Sequence, residues 1–394
     1  MRVLLVSKAL IAGAYQRKAA LLAAQGVDLT VVVPPYWNDD VGRRAPLERV
    51  AHAGPAAAGG YRLVVEPMAF NGHFHVHFYP GLGARMREVR PDVVHVDEEP
   101  YNLATAQAIW LARRAGAQPL FYTWQNLYRR YPPPFGWIER YCYGAAAGAI
   151  AANAEAVGVL HQKGYRGRVW TVPHVSVGVD PDLFYRRPDP AGEAGGARPF
   201  RVGFVGRLRP EKGAHLLVEA VSRLGGDARL DLLGWGPEEG RLRAQASALG
   251  LGDRLTVHQA LPSQRVPEFL SRLDALVLPS LTAPNWKEQF GRALTEAMAC
   301  EVPVVGSDSG EIARVIGDAG LVFSEGDTAA LTERLERLRD DPALRRDLAA
   351  RGLARVRARF TPDRIAGQTV DVYRQVAGAG RAEAPPPGAV QAAQ

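Results

Sequence analysis

Short apolar runs recur along this chain, and the stretches between them carry the 3.6-residue spacing of amphipathic helices. In the first half the runs fall at 3–7, 29–33, 63–66, 74–78, 92–96, 120–123, 149–152 and 169–172, with helical stretches at 15–25, 82–89, 102–115 and 154–163. The second half repeats the rhythm. Its runs lie at 200–205, 230–233, 255–258, 275–278, 303–306 and 321–323, and its helical stretches include 214–224, 329–352 and 362–376. Apolar strands that alternate with helices predict parallel sheets covered on both faces, an α/β architecture. The stretch 186–199, RRPDPAGEAGGARP, reads as a Pro/Gly-rich linker between a first domain at 1–185 and a second at 200–361. Two doubly wound, Rossmann-like sheets facing each other would take a ligand at the carboxyl ends of their strands, in a cleft. Residues 382–394, rich in Ala and Pro, read as a disordered tail.

The densest chemistry lies at 280–306, SLTAPNWKEQFGRALTEAMACEVPVVG. Glu288 and Glu296 are separated by seven residues, and Phe290-Gly291-Arg292 between them reads as a helix opening. An anion there would meet free backbone N–H groups and the positive end of the helix dipole. Eight helical residues rise about 12 Å, comparable to a diphosphate carrying a sugar at each end. This spacing suits a nucleotide sugar, with one carboxylate for each set of hydroxyls. A second cluster, FRVGFVGRLRPEKG at 200–213, runs a buried strand into Gly206-Arg207 and then Lys212-Gly213. Cations beside glycines after a strand describe a phosphate site.

GRLRPEKG together with the Glu-x7-Glu spacing resembles the retaining family-4 glycosyltransferases of the GT-B fold. GVDPDLF at 178–184, LLGWGP at 232–237, DALVLPS at 274–280 and EAMACEVPVVGSDSGE at 296–311 extend the likeness over most of the chain, in the family's usual order. The resemblance implies a nucleoside-diphosphate sugar donor, no metal or other cofactor, and retention by front-face displacement. It implies that Arg207 and Lys212 stabilise the departing diphosphate, that Glu288 contacts the donor sugar and that Glu296 holds the ribose. It further implies donor contacts at Gly206, Phe290, Gly291 and Arg292, and a final helix that crosses back onto the first domain. Gly13, in the loop after the first strand, would let backbone approach donor or acceptor. His95 stands where relatives often place a histidine that meets the donor sugar. The acidic residues that follow leave open which of His95, Asp97 and Glu99 faces the substrate.

Other features narrow the picture. With only two cysteines, Cys142 and Cys300, a disulfide framework is not expected, and a reducing, cytoplasmic setting is. Lys8 interrupts the first apolar run too early for a signal peptide, so that run is expected to be a strand. Net charge is +7, and residues 1–190 hold 21 Lys and Arg against 15 Asp and Glu. That excess would suit an anionic acceptor or peripheral contact with the inner face of a membrane. No basic run or motif points to nucleic acid. The acceptor is expected to be a glycan, a lipid-linked intermediate or a small metabolite. Residues 121–143 mix arginines with aromatic rings that could stack on an acceptor sugar, touch a bilayer or simply pack on a helix. Asp180 and Asp182 form an Asp-x-Asp pair, but in a segment that resembles the family's lead into the interdomain linker. His73, His75 and His77 alternate with apolar residues, as on an amphipathic strand or, less simply, a zinc site. Competing readings are a glucan synthase, a sugar phosphorylase and a non-catalytic nucleotide-sugar-binding protein. A dinucleotide oxidoreductase would need Gly-x-Gly-x-x-Gly after the first strand, and SKALIAGA does not supply it.

Overall fold

The computed structural model describes residues 1–39, 42–48, 60–188 and 198–382. Of the expected linker, 189–197 lies outside the described residues, as does the expected tail beyond Ala382. The chain forms two compact units, Val177–Thr361 and a first unit in which Met1–Ser176 is joined by the stretch from Pro362 onward.

The first unit is built on seven parallel strands: β1 (Arg2–Val6), β2 (Asp28–Val33), β5 (Arg62–Val65), β6 (Val93–Val96), β7 (Gln118–Thr123), β8 (Gly148–Ala151) and β9 (Val169–Thr171). Their order is β5-β2-β1-β6-β7-β8-β9. Side chains alternate across a strand, and each face of the sheet has its own apolar layer. Val3 and Leu5 join Leu29, Val31, Leu120 and Ile150 on one face. Leu4 and Val6 join Val32, Val94 and Val96 on the other, with Leu82, Ala104 and Ala108 from the helices Leu82–Val89 and Leu103–Arg114. The terminal helix, Pro362–Ala382, completes the first face with Ile365, Ala366, Val370, Tyr373 and Val376. It is therefore part of this unit's core rather than an appendage.

Two details depart from the sequence expectation. A short antiparallel hairpin of β3 (Tyr36–Asn38) and β4 (Arg44–Pro46) was not anticipated, because three-residue strands carry too little periodicity to read. Residues 74–78 are not a strand: the segment is a series of turns with one bridge at Phe78. His77 is buried there, while Phe74 is exposed. The polar ring goes inward because it meets a buried carboxylate, Glu98, at 2.8 Å.

The second unit has six parallel strands: β10 (Arg201–Val205), β11 (Arg229–Leu233), β12 (Leu255–His258), β13 (Ala275–Leu278), β14 (Val304–Ser307) and β15 (Gly320–Phe323). Their order is β12-β11-β10-β13-β14-β15. Residues 177–185, expected in the first domain, belong here, because Val179 and Phe184 insert into this unit's core. In each sheet the first strand lies inside and later strands add on both sides of it. The strand order thus reverses between β1 and β6, and again between β10 and β13. Open α/β sheets bind ligands beyond the carboxyl ends of strands at such reversals.

Tyr373 is fully buried, and its hydroxyl lies 2.6 Å from His95 Nδ1 on β6. We expect Tyr373→Ala to destabilise the first unit by about 3–5 kcal/mol, the cost of emptying a large buried site. Tyr373→Phe, which keeps the ring and removes only the hydroxyl, should cost about 1–3 kcal/mol. Chemical denaturation of the two variants checks the ordering.

Candidate active site

The second unit's reversal point collects the residues that the sequence singled out. The loop after β10 passes through a short 3-10 turn, Pro210–Lys212, and ends at Gly213 in the left-handed region (φ 68°). A Cβ on Gly213 would lie 1.9 Å from the Pro279 carbonyl oxygen at the end of β13, so only glycine lets these two segments approach. The approach delivers the Lys212 ammonium to the Glu288 carboxylate at 2.7 Å, and the ammonium also lies 4.4 Å from the centre of the Trp286 ring. The Ser280 hydroxyl donates to the same Glu288 oxygen at 3.0 Å. The Glu288 backbone is fixed in turn by the loop after β14. The Glu311 N–H donates to its carbonyl, and a Cβ on Gly310 (φ 60°) would sit 2.0 Å from that oxygen. Glu288 is 9% exposed and held by a cation, a hydroxyl and a pinned main chain.

Gly291 (φ 81°) precedes the helix Arg292–Ala299, and no side chain caps that helix. The N–H groups of a helix's first turn have no intrahelical partner and lie at the positive end of the helix dipole. Glu296 lies one turn inside and is nearly buried. Its carboxylate is 2.7 Å from Arg292 Nε. Burial raises its pKa, and the Arg292 charge opposes the rise. Arg292, expected to meet the donor, forms this ion pair from an exposed position. The Phe290 side chain is also turned away: it packs edge-to-face on Phe360 in the core, with ring centres 5.5 Å apart. Arg207 is exposed, has no carboxylate partner among the described residues, and lies 5.8 Å from the centre of the Trp235 ring. Gly206 donates its N–H to the Leu233 carbonyl and so ties the β10 loop to the end of β11.

The first unit's reversal point holds two buried charge clusters. Lys8, just after β1, meets Glu98 at 2.7 Å, and His77 and Asn102 reach the same carboxylate oxygen. Burial alone would raise the pKa of Glu98, but Lys8 and His77 outweigh it and hold the group down at about 2. Asp97 pairs with Lys18 at 3.0 Å and with His174 at 3.2 Å. Those partners likewise overcome burial and hold Asp97 well below the usual carboxylate range. Glu99 differs. It accepts hydrogen bonds from the Thr123 hydroxyl and the Trp124 N–H, yet burial dominates and pushes it up to about 7. His95 is 1% exposed, between Tyr122 and Tyr373, and burial lowers its pKa to about 3. It is a neutral core histidine, enclosed where the sequence had offered it to the substrate. At the start of the helix Gly13–Ala24, the Gly13 N–H donates to the Glu48 carboxylate at 2.7 Å, so the chain supplies its own anion at that helix end.

Comparison with known proteins identifies the family. The family "Glycosyl transferases group 1" matches residues 192–355, and "Glycosyl transferase 4-like domain" matches residues 12–175. A D-inositol 3-phosphate glycosyltransferase from Xylanimonas cellulosilytica is 30% identical over 310 residues, 72% of each chain. The chain belongs to the family-4, group 1 glycosyltransferases. An alpha-D-kanosaminyltransferase from Streptomyces kanamyceticus is 28% identical over 64% of this chain and 66% of that relative. Among curated relatives the matched stretch covers as little as 37% of the relative's length. In three dimensions the GT-B fold is shared with sucrose-phosphate synthase from Thermosynechococcus elongatus, at a TM-score of 0.68 and 20% identity. That alignment covers 96% of this chain and all of the other.

Ser280, Gly310 and the Lys8–Glu98–His77 cluster are not among the site residues expected from the sequence. Ser280 and Gly310 show their role only through contacts with Glu288. Lys8 and Glu98 were findable, since each lies two residues beyond a strand that borders the reversal. Among the described residues no group of three or more His, Cys, Asp and Glu could hold a metal ion. The Asp180 carboxylate accepts the Asp182 N–H at 3.1 Å.

His95 yields a prediction with a definite sign. Its folded pKa lies below the ordinary 6.5, so its stabilising contribution is present above pH 6.5 and is lost as pH falls towards 3. The fall in melting temperature of the wild type from pH 6.5 to 4 should be steeper than that of His95→Leu. Equal slopes would place His95 in a solvated setting.

Proposed function

We propose that the protein is a retaining glycosyltransferase that moves a sugar from a nucleoside-diphosphate donor to an acceptor hydroxyl without a divalent metal. One observation carries this reading: Lys212, Glu288 and the uncapped start of Arg292–Ala299 converge at the β10/β13 reversal. The diphosphate sits against the helix start, with Lys212 and Arg207 taking up the charge that develops as it leaves. When the phosphate draws the ammonium away, Glu288 keeps its bond to Ser280 and accepts hydroxyls of the donor sugar. Glu296 holds the ribose. The bond from the anomeric carbon to phosphate breaks, the acceptor oxygen bonds to the same face, and the leaving phosphate oxygen takes the acceptor proton.

The acceptor is a hydroxyl of a glycan, a lipid-linked intermediate or a small metabolite. The relative named for D-inositol 3-phosphate supports a small polyhydroxylated acceptor. Two buried free cysteines fit a reducing, cytoplasmic setting. No helix among the described residues is long and apolar enough to cross a membrane.

The test is donor turnover in excess EDTA. Wild type should keep full activity, and Glu288→Ala should lose about 10²–10³-fold in kcat, the scale for one preorganised polar group, with an unchanged melting curve. A strict requirement for added divalent metal would overturn the Arg/Lys account, and unaltered turnover in Glu288→Ala would remove that residue from the chemistry.

A further inference from the structure

We propose that the Trp235 indole is the platform on which the donor's nucleobase stacks, beside the Arg207 guanidinium that meets the diphosphate. The proposal rests on the donor reading above and adds a binding residue to it.

Trp235 lies in the turn after β11, the strand next to β10, at the same sheet edge as Arg207 and Lys212. The turn is locked from both sides. A Cβ on Gly234 would lie 1.8 Å from the Gly206 carbonyl oxygen, and one on Gly236 would lie 2.2 Å from that of Leu208. The Leu208 N–H donates to the Trp235 carbonyl at 2.9 Å, and the Gly234 N–H donates to His258 at the end of β12 at 3.0 Å. The two glycines thus press the backbone of residue 235 against the phosphate loop. They leave the largest side chain available standing out from it.

That side chain is 56% exposed. A large indole on a fixed backbone, uncovered at a sheet's ligand-binding edge, gives up burial that most tryptophans obtain. Among the described residues its ring neighbour is Arg207, which is also exposed and has no carboxylate partner. An uncovered aromatic face beside an unneutralised cation complements a ligand that is aromatic at one end and anionic at the other. A nucleoside diphosphate has that form. Because every base offers a π-face, stacking here would give affinity with little choice among bases.

The test measures dissociation constants for UDP, GDP and ADP directly, and for inorganic pyrophosphate by competition, in the intact chain. Variants are Trp235→Ala, Trp235→Phe and Arg207→Ala. Trp235→Ala should weaken the preferred nucleoside diphosphate about tenfold, equivalent to about 1.4 kcal/mol, and leave pyrophosphate within about twofold. Trp235→Phe should restore most of the loss and abolish the tryptophan fluorescence quenching that the nucleotide causes in the wild type. Arg207→Ala should weaken both ligands. Nucleotide binding unchanged in Trp235→Ala, or equal losses of nucleotide and pyrophosphate, would overturn the stacking assignment alone. A wild type that binds no nucleoside diphosphate would instead sink the donor reading, and this assignment with it.

Discussion

The second unit's site depends on a contact between two backbones. Gly213 and the Pro279 carbonyl approach so closely that any side chain at 213 would collide. That contact joins the loop after β10 to the end of β13 and brings a lysine to a glutamate 76 positions away in sequence. A buried or half-buried ion pair is costly to desolvate unless its remaining valences are met. Here Ser280 and the Trp286 ring meet some of them, and the pinned carbonyl of Glu288 removes the freedom that would let the pair drift. The resulting carboxylate has a fixed position and a cation beside it.

The first unit uses buried charge differently. Lys18, Asp97 and His174 join the first helix, the end of β6 and the segment after β9, all with little solvent contact. Such clusters add little net stability, because the Coulomb gain repays desolvation, but removing one member leaves a buried charge unpaired. Their effect is to hold the sheet's carboxyl edge in one arrangement. Glu99 lies nearby and is pushed up to about 7, because burial outweighs its hydrogen bonds from Trp124 and Thr123 and the opposing charge of Lys163.

Much of this was legible in the sequence, for physical reasons that differ by region. The central strands announced themselves because both their faces are buried, so β1, β2, β6, β7, β10 and β13 are nearly pure apolar runs. The segment 74–78 imitated a strand, with alternating His and apolar residues, yet a buried Glu98 reversed which side chains went inside. Glu288 and Glu296 could be picked out by spacing. Their partners could not: Arg292 on Glu296 is a local helix pair that competes with a ligand role, and Ser280 and Gly310 act through folded loops. His95 sat at the expected strand end, but the face it occupies is covered by the terminal helix, 278 positions further on.

That terminal helix has a consequence for synthesis on the ribosome. Protein domains ordinarily fold in the order in which they emerge. Here the first unit lacks Ile365, Val370 and Tyr373 of its own apolar layer until the second unit has been made. Among the described residues, the core of the second unit, Val177–Thr361, draws only on residues within that span. The nascent protein must therefore carry an incomplete first sheet through the time it takes to make its neighbour. The first unit is begun before its neighbour and finished after it.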